Sequence, residues 1–164
     1  MKLNDLLKKL FASNFQAYVI AHGYHQNLTG EDFYEYHKLF QKIYEYLQDN
    51  IDTQGELIRA LDEIVPFSLK RIGELTQVEG IETVPEIEQM VVDIDSALYI
   101  LIDIANDIYD QSNEDREFGV NNYIAGYIQD LNKHCWMLKA SSQAEDATDV
   151  AEDAADPADK PKPM

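Results

Sequence analysis

The sequence predicts an all-α fold: a bundle of four long helices, with a short extra helix in the long connection between the second and third. Three observations carry this prediction. Apolar residues recur at three- and four-residue intervals over four stretches of roughly 20 to 30 residues each. Only 7 Gly and 5 Pro punctuate 164 residues, and three of those prolines lie within the last eight positions, too few breakers for a turn-dense β fold. The chain is 45% hydrophobic, enough to fill one core at this length.

The first helix is expected from about Asn4 to Gly23, with Leu6, Leu7, Leu10, Phe11, Phe15, Tyr18 and Val19 on its apolar stripe and Gly23 as its stop. Thr29, Gly30, Glu31 and Asp32 then supply turn and capping chemistry. A second helix follows to about Leu61, its stripe running through Phe33, Tyr36, His37, Phe40, Ile43, Tyr44, Leu47, Ile51, Leu57 and Ile58. Pro66, tolerated in a first helical turn, opens a short helix to about Leu75, and Gly80 with Pro85 mark the next break. The third helix spans roughly Pro85 to Asn113, on Ile87, Met90, Val91, Ile94, Leu98, Leu101, Ile102, Ala105 and Ile108. The fourth runs from about Glu117 to Ala140, on Tyr123, Ile124, Tyr127, Ile128, Leu131, Cys135 and Leu138. Buried bulk accounts for most of the tyrosines and for Trp136. The connection from Asp62 to Val84 is long enough to pass from one end of a bundle toward the other.

Composition divides the chain in two. Residues 1–140 form the bundle domain. Ser141 to Met164 carry seven acids and many alanines but no aromatic residue; such a segment cannot bury enough surface to order itself and is expected to be a disordered acidic tail. The whole chain has 31 acids against 13 lysines and arginines, a net charge of −18, so its field repels nucleic acid and anionic membrane and attracts cations. Cys135 is the single cysteine, which excludes an intrachain disulfide framework and a cysteine-rich zinc site and suits a reduced, cytoplasmic setting. Acid and lysine interrupt the N-terminal apolar run, and the apolar run Ala97–Ala105 contains Asp103; neither a secretory signal nor a membrane span is expected.

The candidate chemistry lies in His25, His37, Asp52 and Glu56. Asp52 and Glu56, four apart, share one helix face and suit a hard or borderline cation. A tight turn brings His25 and His37 to one end of the bundle. Fifteen residues of helix separate His37 from Asp52, about 22 Å at the usual rise, too far for one subunit to place both on one metal. Two readings remain: the pairs are unrelated, or second helices of two subunits lie antiparallel, so that the histidines of one face the acids of the other. Paired Glu-x-x-His motifs, which an intrasubunit di-iron bundle requires, are absent from the sequence. His134, beside Cys135, Trp136 and Met137, reads as a packing or capping residue.

The segments Tyr24-His25-Gln26-Asn27-Leu28-Thr29-Gly30, Asp32-Phe33-Tyr34 and His37-Lys38-Leu39-Phe40, with the C-terminal run Lys133 to Ala140, resemble the Dps miniferritins of the ferritin-like group. The resemblance covers about residues 4 to 140. It implies a ferritin-like four-helix bundle assembled from twofold dimers into a dodecameric shell. Ferroxidase sites at the dimer interface, at the positions of His25, His37, Asp52 and Glu56, would oxidise Fe(II) with hydrogen peroxide or oxygen and deposit Fe(III) mineral inside, suppressing oxidative damage. Carboxylates favour ferric iron and imidazole suits ferrous iron.

Two departures accompany the resemblance. Gln41 stands where the family usually has a metal-binding aspartate, offering a neutral carbonyl oxygen instead of a charge, which weakens iron binding. Gln26 replaces the aromatic residue that follows the first histidine in the family. Direct DNA binding is disfavoured, since Lys2, Lys8 and Lys9 belong to a helix and the tail is acidic. The rival reading is a shell with weakened catalysis that acts as an interaction or structural protein, its acidic surface and tail imitating DNA charge.

Overall fold

The computed structural model describes residues 2–142. Five helices account for its regular structure: α1 (Leu3–Asn27), α2 (Phe33–Ala60), the short α3 (Leu69–Leu75), α4 (Ile87–Glu114) and α5 (Phe118–Ser142). The four long ones form the bundle and α3 lies in the connection, the architecture that the apolar periodicity predicts. α5 runs two residues past the expected boundary at Ala140, and the expected tail beyond it lies outside the described residues.

α1 packs against α2, α3 and α4, and α5 packs chiefly on α4. Leu7, Leu10, Phe40, Ile43, Leu47, Ile58, Ile94, Leu98, Leu101, Ile108, Ile124 and Leu131 are all sealed from solvent; each such side chain contributes roughly 1.5–3 kcal/mol relative to remaining exposed. The chain direction follows from two contacts. His25 at the end of α1 touches His37 at the start of α2, and Tyr24 donates to Asp93 early in α4 at 2.6 Å. α2 and α4 therefore begin at the same end, and the segment between them must travel the length of the bundle. It does so along α1: Glu63 meets Lys8 at 2.7 Å, the Gln77 amide donates to Ser13 Oγ at 2.9 Å, and Gly80 lies beside Gln16. The Lys8 ammonium holds the Glu63 carboxyl below its usual range.

α2 and α5 make the sparsest of these helix contacts, and tyrosines fill the space between them. Tyr46, Tyr127 and Tyr123 stack in series with ring centroids 6.0 and 5.9 Å apart. Tyr127 donates to Asn14 Oδ1 at 2.8 Å, Asn14 donates to the Leu47 carbonyl at 2.9 Å, and Tyr123 donates to Asn50 at 2.7 Å. Burial raises all three tyrosines above their ordinary range, so these hydroxyls remain donors.

The helix boundaries correct three expectations. Gly23 does not stop α1, which continues through His25 to Asn27; glycine inside a helix costs only about 1 kcal/mol against alanine, and the buried Leu28 anchors the following residue. Pro66 does not open α3. Ser68 does, its Oγ accepting from the Arg71 amide at 3.2 Å, the ordinary N-cap bond. Asp32 occupies the N-cap position of α2 without a side-chain cap bond. Val19 and Trp136, expected as core, are 45% and 64% exposed, since both project from the outer faces of their helices.

Candidate metal centre

The tight α1–α2 turn brings His25 and His37 together. Their imidazoles stack with centroids 3.7 Å apart and planes 20° from parallel. The backbone clamps both rings reciprocally: His25 Nδ1 lies 2.9 Å from the His37 carbonyl oxygen, and His37 Nδ1 lies 3.0 Å from that of His25. A carbonyl oxygen only accepts, so Nδ1 carries the proton in each ring. In the neutral imidazole that leaves the lone pair on Nε2, the tautomer in which a histidine ligates a metal through Nε2 while its other nitrogen is held by a second-shell acceptor.

Aromatic rings fix the pair from both sides. Phe33 stacks on His37 at 4.7 Å, and Tyr44 meets His25 edge-on at 4.9 Å. His22, which the sequence reading overlooked, completes this wall: its ring lies 4.4 Å from Tyr44 and 6.2 Å from His25. Its Nδ1 is 3.2 Å from the Tyr18 hydroxyl and its Nε2 is 3.2 Å from the Gln26 amide nitrogen. Both nitrogens being engaged, His22 acts as a support rather than a ligand. Its signal in the sequence is the i, i+3 spacing to His25, which sets both rings on one face of α1.

Asp52 and Glu56 lie on the exposed side of α2, and neither makes a hydrogen bond or ion pair with another described residue. Gln41 turns along its own helix, donating to Glu45 Oε1 at 2.7 Å, and Gln26 contacts His22 at the exposed edge of the wall. Among the described residues of one chain, no three His, Cys, Asp or Glu side chains converge on a point. The structure thus joins His25 with His37 and keeps Asp52 about 22 Å and Glu56 about 28 Å farther along α2, by the helical rise.

His134 packs on Tyr46 with ring centroids 4.9 Å apart, and burial holds its imidazole below the ordinary value. The Cys135 thiol is pushed up to about 12, first by burial and then by Asp95, which leaves it protonated and unreactive near neutral pH.

A ferritin-like domain model matches residues 4–146. The chain belongs to the ferritin-like family. General stress protein 20U of Bacillus subtilis is 30% identical over 146 residues, covering 85% of this chain and 96% of that protein. The DNA protection during starvation protein of Brevibacillus brevis is 27% identical, covering 82% and 91%. Among solved structures, the Dps protein of Vibrio cholerae O1, described as one of a superfamily of ferritin-like diiron-carboxylate proteins, superposes with a TM-score of 0.81 at 28% identity, covering 84% of this chain and 87% of that one. These likenesses place the chain with the Dps proteins inside the ferritin-like family. No described helix is long and apolar enough to cross a membrane.

Proposed function

We propose that this protein oxidises Fe(II) and stores the ferric product in a closed homo-oligomeric shell, a dodecamer built from twofold dimers. Each iron site takes His25 and His37 from one subunit and the partner's Asp52 and Glu56. The observation that carries this reading is the histidine pair: two stacked imidazoles, each clamped at Nδ1 by the other's carbonyl, support a metal site that the described residues of their own chain do not complete.

Iron is the substrate here. The imidazole Nε2 atoms suit incoming Fe(II), and the hard carboxylates favour Fe(III) as charge develops. Two Fe(II) ions together supply the two electrons that reduce one hydrogen peroxide to water, so neither electron is left to generate hydroxyl radical; oxygen is the slower alternative oxidant. Gln41, bonded to Glu45, contributes no charge to the site and makes iron binding weaker than an aspartate would. Protection of DNA, the property named in the relatives, then follows from removing iron and peroxide; a chain of charge −18 has little drive to contact phosphate directly.

The experiment is aerobic Fe(II) oxidation with and without hydrogen peroxide, followed by size measurement of the assembly. The expected result is faster oxidation with peroxide, with iron retained in a large oligomer. Iron precipitating at the protein-free rate, or a monomer in solution, would contradict it.

A further inference from the structure

The outer face of α2 carries a second pattern. Lys38, Lys42, Glu45, Asp49, Asp52 and Glu56 follow one another at alternating steps of four and three, and all six are exposed. That spacing keeps them in one continuous seam along the helix. Within the chain the order is unfavourable, because Lys38–Lys42, Glu45–Asp49 and Asp52–Glu56 each set like charges one turn apart. The ion pairs of the described residues are Lys8–Glu63 and Arg71–Glu74, so the seam has no ionic partner among the described residues of its own chain. Lys38 rests over the Tyr34 ring at 4.1 Å, which leaves Lys42 as the cation of the seam without a partner among the described residues.

A seam that is basic toward one end and acidic toward the other is self-complementary when two copies run antiparallel, since each basic half meets an acidic half. The register follows from the iron site, on which this inference rests. If His37 faces the midpoint between the partner's Asp52 and Glu56, residues facing each other carry numbers that sum to about 91 along two straight helices. Lys42 then faces the partner's Asp49. A twofold axis perpendicular to both helices also returns Lys42 and Asp49, neighbours on one edge of the seam, to the same flank.

We propose that Lys42 of each subunit pairs with the partner's Asp49, and that these two symmetry-related ion pairs set the α2–α2 register that aligns the histidines with the opposing acids. Lys42 and Asp49 are positioning residues: they lie beside the twofold axis, between the two iron sites of a dimer, and touch neither metal.

The test is a charge swap divided between chains. Lys42→Glu alone sets acid against acid twice in its homodimer, and Asp49→Lys alone sets lysine against lysine twice; each is expected to weaken dimerisation about tenfold. Mixing the two variants restores both opposite-charge pairs, but only in heterodimers. Differently tagged chains, dissociated, mixed and counted by native mass spectrometry, should give heterodimers well above the statistical half, with the excess shrinking at high salt. All substituted side chains are exposed, and circular dichroism of each variant checks that the helices persist.

Statistical mixing of folded variants would overturn the ion pair and its register. It would leave the iron site to its own assay, because no iron is present in the mixing experiment. Preferred heterodimers from a protein that does not oxidise iron would support the pairing and sink the iron reading instead.

Discussion

The two ends of α2 carry the two halves of the proposed iron site and are built in opposite ways. At the N-terminal end, His37 is half-buried, stacked between Phe33 and His25 and clamped to the end of α1. At the C-terminal end, Asp52 and Glu56 stand in solvent without partners among the described residues. The contrast has a physical reason. A neutral imidazole is half apolar and tolerates burial once its N–H is satisfied, so the fold itself can orient it before metal arrives. A carboxylate would have to be desolvated, and in an exposed position the proposed site defers that cost until the opposing subunit and the cation are present together.

The difference gives the largest expected effect. Replacing His25 and His37 together by alanine removes packing and leaves two carbonyl oxygens without their partners, so the fold should lose about 2 kcal/mol or more. Replacing Asp52 and Glu56 together by alanine should leave stability unchanged or slightly raised, because the chain is already strongly acidic. Iron oxidation should fail in both. Urea denaturation of the two variants reads the contrast directly, and equal losses would mean that the acids are as embedded as the histidines.

Gln41 offers a smaller change that sharpens the same contrast, since it lies one turn beyond the histidines. Gln41→Asp breaks the bond to Glu45 and adds a charged oxygen ligand, and should tighten Fe(II) binding by up to about tenfold. Calorimetric titration under anaerobic conditions measures it.

His134 provides the smallest effect and a control away from both ends. Burial lowers its folded value below the ordinary 6.5, so the unfolded chain binds the extra proton more readily. Stability is therefore fully present above pH 6.5 and is lost as pH falls through that value toward the folded one. His134→Gln should reduce the loss of stability between pH 7 and pH 5, a difference visible in melting temperature.

The helices were legible because burial repeats along them: the stripes through Leu6, Leu10, Ile43, Leu47, Leu98, Leu101 and Leu131 reappear as core. Their ends were less so. α2 and α4 stop on Asp62 and Arg116, both with positive φ, where the six-to-one bonds Glu63 N–H to Ile58 O and Glu117 N–H to Ser112 O close the helix. That motif usually announces itself with glycine, and the glycine that did suggest a stop, Gly23, is an ordinary helical residue. The pairing of His25 with His37 was legible from the short turn. The reciprocal carbonyl clamp and the wall of His22 and Tyr44 were not, because they depend on ring orientation, which spacing does not encode. The direction of Gln41 was hidden for the same reason.

The central claim is that one site is divided between two chains, and complementation tests it most directly. Chains carrying His25→Ala and His37→Ala, mixed with chains carrying Asp52→Ala and Glu56→Ala, form interfaces in which one of the two sites joins an intact histidine pair to an intact acid pair. With each parent assembly inactive, statistical mixing should make half of the dimers heterodimers with one intact site each, restoring about a quarter of the wild-type iron-oxidation rate. Mixed assemblies no more active than the parents, with mixing verified by mass, would contradict a site shared between subunits.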